Sequence, residues 1–317
     1  MNYDIFNGDA DGICALHQLR LDKPAQSKLV TGVKRDISLV KKVKAKPGDK
    51  ILVLDISFDK NKKAILDALE YGAQVKYYDH HYTGDMPENI NLKTFINTSP
   101  EVCTSLIVNQ QLKGKYAEWA VVAAFGDNLA KQAKYLARKI GLSKKQTSAL
   151  NDLGILLNYN GYGSTLDDLF FTPDDLYLRV HQYVNPHEFI ESEDTFTILQ
   201  SGYYSDLANA EKIKPEVLSD KYSVFIMPNE VWARRISGVY GNMLAQQNPE
   251  RAHAILTEIS DNNYVVSVRS PLNNQADADD LCRQFKTGGG RKSAAGINKL
   301  AFTQYDNFIN KFIKQYT

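Results

Sequence analysis

Short apolar runs alternate with helical patterns along the first eighty residues, and nothing else in the chain restricts the fold as much. "YDIF" (3–6) leads into a Gly-Asp turn, and "GICALHQLRL" (12–21) then has helical spacing. "KLVTGV" (28–33) is a strand pattern, followed by a helical "DISLVKKVK" (36–44). "KILVLDIS" (50–57) is the clearest strand, with Pro47-Gly48 as punctuation before it. "KNKKAILDALEYG" (60–72) is helical with a terminal Gly, and "AQVKYY" (73–78) is the next strand. Strands separated by helices cannot form hairpins. They pair in parallel through crossovers, so an α/β, doubly wound, mostly parallel sheet is expected here.

From about 101 to 160 the pattern is mainly helical, and a stretch rich in Gly, Asn, Pro and Asp follows. The C-terminal third differs. It reads as a strand ("YSVFIM"), a helix ("ARRISGVYGNMLAQQ"), and two strands ("AHAILTEIS", "YVVSVRS") joined at Asp261-Asn262-Asn263. A helix ("ADADDLCRQF"), a glycine loop and an amphipathic helix close this smaller α+β domain. The expected division is 1–185, a connecting helix or linker at 186–215, and 216–317. At 317 residues, two domains are the natural size.

Bulk properties exclude several classes. Net charge is +1, so the protein is no general basic coat for nucleic acid, though a local basic groove remains open. Three cysteines, Cys14, Cys103 and Cys282, lie far apart and are odd in number. They suit reduced thiols and a cytoplasmic location better than a disulfide framework or zinc cluster. No apolar run approaches the ~20 residues that span a bilayer, and the N-terminus lacks a signal pattern, so no membrane partner is expected.

Ligands bind beyond the carboxyl ends of strands in an open α/β sheet. The first strand here runs into Asp9-Ala10-Asp11-Gly12, "KILVL" into Asp55, and "AQVKYY" into Asp79-His80-His81. Asp127, after the apolar "WAVVAAFG", can reach the same edge. Converging carboxylates raise one another's pKa and call for a counter-charge. Oxygen ligands with one or two imidazoles suit manganese or magnesium better than structural zinc. "NGDADG" also opens like an EF-hand loop, but that loop needs a Glu where Gln18 stands, and a helix where a strand precedes it. Taken singly, Asp9 and Asp11 read as turn residues and Asp55 and Asp127 as helix caps. Their joint placement at one edge favours a metal site.

"GDADGI", "LDIS", "YDHH" and "FGDN", in this order, resemble the four motifs of the DHH phosphoesterase superfamily, which includes RecJ exonucleases and nanoRNase-like enzymes. "SVRS" and "TGGGRKSAAG" resemble the DHH-associated domain that closes over substrate. The resemblance implies two divalent cations, with manganese favoured. It implies that Asp9 holds one, Asp11 the other, and Asp55 bridges them, with His80 and Asp127 completing the second site. Asp79 is then expected to orient an imidazole, and His81 to touch the scissile phosphate or help the leaving group. The nucleophile would be a hydroxide bridging the two ions.

The chain departs from the family twice. Several branches carry a histidine just before the first aspartate pair; here Asn7 is the residue that can substitute. The glycine loop usually continues with His; here it continues with Arg291, which grips phosphate but shuttles no proton at neutral pH.

Gly288, Gly289 and Gly290 allow close backbone approach to an anion. With Arg269, Arg291, Lys292 and Ser293 they form the expected phosphate site, and Lys34 and Arg35 are further candidates beside the acids. Arg234 and Arg235 read as surface residues; His17, His181, His187 and His253 receive no role. The expected substrate is a phosphorylated nucleotide or short oligonucleotide. The alternatives are a RecJ-type single-strand exonuclease, a cyclic-dinucleotide or pyrophosphate-type hydrolase, and an inactive DHH-like adaptor for nucleic acid. The sequence leaves room for a homodimer.

Overall fold

The computed structural model describes residues 1–192, 194–274 and 277–317. The chain divides into two compact units, Met1–Gln200 and Ser201–Thr317.

The first unit begins with β1 (Asn2–Phe6), α1 (Ala10–Asp22), β2 (Lys28–Val30), β3 (Lys50–Leu54), α2 (Phe58–Glu70), β4 (Gln74–Asp79) and β5 (Leu92–Ile96). The helices α3 (Thr104–Gln111), α4 (Ala117–Gly126), α5 (Ala130–Lys139), α6 (Lys144–Gly161), α7 (Pro173–Val180) and α8 (Pro186–Ser192) follow. The chain passes into the second unit within α9 (Asp194–Ala210). All strand pairs of the first sheet are parallel, in the order β2-β1-β3-β4-β5. Alternate strand residues face opposite ways. Ile5, Ile51, Val53, Val75 and Tyr77 form one core with Phe58, Ile65, Ala68 and Leu69 of α2. α1 and α3 contact the strands as well but contribute nothing to that core, so they cover the other face. The doubly wound expectation therefore holds. α4 is buried at every residue but Glu118 and is the helix on which α1, α3, α5 and α6 pack.

Two local expectations fail. The helix expected over 36–44 is only a single 3-10 turn, Val40–Lys42. β-branched Ile37, Val40 and Val43 are poor helix formers, and the Asn61 side chain accepts the Val40 N–H that a helix would use internally. β5 was not foreseen, because "LKTFI" is short and its residues are only half-buried.

The second unit contains β6 (Val217–Leu218), β7 (Tyr222–Met227), α10 (Val231–Gln247), β8 (Ala252–Ile259), β9 (Asn263–Arg269), α11 (Ala278–Cys282), β10 (Gly288–Gly290), β11 (Ala294–Ala301) and α12 (Tyr305–Tyr316). The sheet order is β10-β11-β9-β8-β7-β6. Only β7 and β8 are parallel, and α10 is their crossover; the other pairs are antiparallel. Asp261 and Asn262 have φ of 64° and 55°, the left-handed pair that a tight β8–β9 hairpin requires. Leu281, Cys282, Phe285, Phe308 and Phe312 cover one sheet face. The helix read from Ala276 starts at Ala278; Ala276 itself lies outside the described residues.

The glycine run is a strand, not a loop. Gly288, Gly289 and Gly290 pair with Ile297, Gly296 and Ala295. A side chain at Gly288 would strike the Cys282 carbonyl, which is why the position takes glycine.

Candidate metal centre

The strand order reverses between β1 and β3, where their outgoing connections diverge. A parallel sheet opens its ligand crevice at that switch point. Asp9, Asp11 and Asp55 lie just beyond these two strand ends, at 2%, 1% and 2% exposure.

Beyond β1, the Asp9 carboxylate caps α1, its Oδ1 accepting from the Asp11 and Gly12 amides at 3.1 Å each. Its Oδ2 accepts from Lys34 Nζ at 2.5 Å, and that ammonium also donates to Asn158 Oδ1 at 2.7 Å. Burial pushes the Asp9 carboxyl up, but Lys34 and the Gly12 amide outweigh it and hold it below its ordinary range. Lys34 is raised in turn: burial works against its charge, and the Asp9 carboxylate prevails. Lys34, expected as a phosphate contact, is thus an internal counter-charge to Asp9. Gly12 backs onto the Asn7 carbonyl, leaving no room for a side chain.

The two Asp11 oxygens accept from the Thr104 and Ser105 amides at 2.7 Å each, and the Ser105 hydroxyl donates to the Asp11 carbonyl at 2.9 Å. Asp11 therefore fixes the first turn of α3. Asp55 has φ of 58°, so β3 ends abruptly in a left-handed residue that costs on the order of 1 kcal/mol. Its amide is tied to the Tyr78 carbonyl and its Oδ1 accepts from the Thr104 hydroxyl at 2.9 Å. Burial, then Asp11 and Asp9, drive the Asp55 carboxyl well above its ordinary range.

His80 Nδ1 lies 2.8 Å from the Val102 carbonyl, which can only accept, so Nδ1 carries the proton. The Nε2 lone pair is left 3.4 Å from Asp55 Oδ1 and 3.9 Å from Asp127 Oδ2. Buried Asp79 accepts the His80 amide at 2.9 Å and His81 Nδ1 at 2.6 Å, both on Oδ1. Asp127 follows the last residue of α4, and the next residue, Asn128, ends the helix with φ of 63°. Donor atoms of Asp55, His80 and His81 lie within 4.8 Å of one another.

These donors fit a divalent cation. An imidazole oriented by a backbone carbonyl and facing two carboxylates is the usual arrangement around a metal, and a cation there would offset the burial and the neighbouring carboxylates that push Asp55 up. At the other end, Asn7 Oδ1 is buried and finds no hydrogen-bond partner among the described residues, so it is available as an oxygen ligand. Asp9 is less available, since Lys34 already occupies Oδ2.

In the second unit, Arg269 Nε donates to Asn242 Oδ1 at 2.6 Å, and its two terminal nitrogens to the Val268 and Gly238 carbonyls at 3.0 Å each. This guanidinium is braced against α10. Arg291 and Lys292 are exposed in the turn between β10 and β11, closed by the Arg291 amide to the Ala294 carbonyl at 2.9 Å. The Ser270 amide donates to the Ser293 carbonyl at 3.0 Å and the Ser270 hydroxyl to the Lys292 carbonyl at 2.9 Å. Arg35 is half-buried after β2. Arg235, read as a surface residue, instead pairs with buried Asp206 at 2.8 Å. Sequence reasoning passed over Thr104, Ser105 and Asn158. "CTS" at 103–105 shows a helix start, but nothing in it points to Asp11 or Asp55.

No protein-family model and no curated protein matches the chain. Solved structures do. RecJ from Thermus thermophilus, in complex with Mn2+, superposes with a TM-score of 0.65 at 16% identity over 98% of this chain. The fold is that of RecJ and the DHH proteins. The chain spans 51% of that RecJ's length. A second RecJ structure, bound to manganese, gives 0.60 at 14% identity, covering 98% of this chain and 88% of its own. The pGpG-specific phosphodiesterase PggH from Vibrio cholerae gives 0.57 at 13% identity, covering 100% and 99%.

Proposed function

We propose that this DHH-fold protein is a phosphoesterase, dependent on divalent cations, that hydrolyses short nucleotides or oligonucleotides. The observation that carries this reading is the convergence of Asp55, His80 and His81 donors within 4.8 Å, with the Asp127 carboxylate 3.9 Å from His80 Nε2. Asp55, His80, Asp127 and Asp11 would hold one cation. Asp9 and Asn7 would hold a second, shared through Asp55. Manganese is the preferred ion because the donors are mostly carboxylate oxygen with imidazole. Such ions activate water near neutral pH and offset charge on the phosphoryl oxygens.

The chain's own groups have distinct tasks. Asp79 accepts from His81 Nδ1 and so orients Nε2, on a ring one-third exposed; protonated at both nitrogens, that ring would donate from Nε2 to a phosphoryl oxygen or leaving group. Thr104 fixes one oxygen of Asp55. Arg291 and Lys292 are the proposed anion contacts of the second unit, while the Arg269 guanidinium is held by Asn242 and Gly238 of α10. PggH, a pGpG-specific phosphodiesterase that matches along its full length, makes linear dinucleotides the first substrates to try.

The test is a manganese-supplemented screen of pGpG and other dinucleotides, phosphoadenosine phosphate, cyclic dinucleotides, pyrophosphate and labelled single strands. Turnover of short linear nucleotides is expected, and Asp55→Ala should abolish it. Full activity in that variant overturns the reading.

A further inference from the structure

Alongside α5 and the first turns of α6, the first unit has an open groove of roughly 540 Å³. Lys131, Lys134, Arg138 and Lys144 line it, with Ser148 and Asn151 as neutral polar partners. Residues 130–151 contain six cations and no acid, in a chain whose net charge is only +1. The groove thus concentrates a charge that the whole molecule does not have. Lys131, Lys134, Tyr135 and Arg138 follow the i, i+3, i+4, i+7 spacing of one helix face, opposite buried Ala133 and Ala137. Tyr135 is 62% exposed on that charged face. Lys131 has a nearby acid, Glu101 at 3.8 Å, but both side chains are largely exposed and the pair is weak. Phe125, two residues before Asp127 in the chain, forms part of the wall.

Closely spaced cations with an exposed aromatic ring are what a single-stranded phosphodiester requires: backbone neutralisation together with a face on which a base stacks. A dinucleotide at the metal centre has no need of such a surface. We infer that the α5–α6 groove is a secondary binding site for single-stranded nucleic acid, holding the part of a longer strand that lies beyond the residues being cleaved. This goes further than the proposed function, which requires only a short substrate, and it stands or falls separately.

The experiment measures anisotropy of a labelled 15-nucleotide strand, as DNA and as RNA, with EDTA present so that no cleavage occurs. Wild type is compared with Lys131→Glu/Lys134→Glu/Arg138→Glu, with the corresponding glutamine variant, and with Tyr135→Ala. All four positions are exposed, and thermal melts verify folding. The charge-reversed variant should bind the strand at least tenfold more weakly. The slope of log affinity against log salt should fall by about 2 for three lost phosphate contacts on a single strand. Tyr135→Ala should weaken binding without changing that slope. Dinucleotide turnover in manganese should be unchanged in every variant. Equal strand affinity and salt slope in wild type and the charge-reversed variant overturn the inference. So does equal competition by inorganic polyphosphate of matched charge, together with no effect of Tyr135→Ala. If wild type binds the strand through these residues yet hydrolyses nothing, the proposed function fails and the groove remains.

Discussion

The two units differ in how many acids they bury and where, though each pairs some of them with cations, as Lys34 with Asp9 and Arg235 with Asp206. The first buries Asp4, Asp9, Asp11, Asp49, Asp55, Asp79 and Asp168, and several of these share one edge of its sheet. Among the described residues, the second buries one acid, Asp206, which is paired with Arg235; its remaining buried polar groups are neutral hydroxyls, amides and a histidine. Strand direction explains the contrast. In an all-parallel sheet every carboxyl end opens on the same edge, so residues distant in sequence are delivered together. In the mixed sheet only β7 and β8 end on the same edge as neighbours, the other pairs run opposite ways, and no edge collects acids. The first unit therefore carries an electrostatic cost that an external cation would relieve. The second gains its stability from a packed apolar core and uses a glycine strand where close approach is needed.

Substitution of Asp55 should break this contrast most forcefully. Asp55→Asn should lower metal-dependent turnover by about 10³-fold or more. In EDTA, the same change should raise the first unit's melting temperature, because it removes a buried carboxylate that its neighbours oppose. Manganese at a hundredfold excess over its Kd should stabilise wild type by about 2.7 kcal/mol, with little of that gain in Asp55→Asn. A second unit that responded to manganese as strongly as the first, followed by hydrogen exchange, would show that the charge contrast has been misassigned.

Gly288→Ala should act on the other unit. Its methyl would meet the Cys282 carbonyl, a backbone atom with no freedom to give way. A loss of about 3 kcal/mol is expected, as for overpacking of a rigid site. Exchange protection should fall across 201–317 and hold in the first unit. Protection that is unchanged in both would mean that β10 is not held as described.

The smallest effect concerns acid. His17, packed edge-on against Trp119 and bonded to the Tyr183 carbonyl, is pushed by burial to about 3. Between there and 6.5 the unfolded chain binds a proton that the folded chain refuses, so stability rises with pH through this window and is lost as pH falls. From pH 6.5 to 5 the loss should be about 2 kcal/mol, read as a shift in the urea midpoint. His17→Gln, which cannot titrate, should flatten that part of the profile. A wild-type curve that is flat over the same range would rule out a buried, neutral His17.

Much of the fold could be read directly. The β/α alternation gave the parallel sheet, and "DADG", "LDIS", "YDHH" and "FGDN" gave the acids and imidazoles of one edge. Errors came where local pattern and tertiary demand diverged. "DISLVKKVK" has helical spacing, yet Asn61, from α2, takes one of its amides. "GGG" looks like a loop, yet β11 supplies a ladder that makes it a strand.

The sequence by itself determined which residues could meet and the kind of chemistry they carry, since residue type and position after a strand are local properties. Only the tertiary structure decided the partners: Lys34 on Asp9, Thr104 and Ser105 on Asp11, Val102 on His80. These contacts span from 22 to 94 residues of sequence. They depend on strand order and helix packing, and no local periodicity records either one.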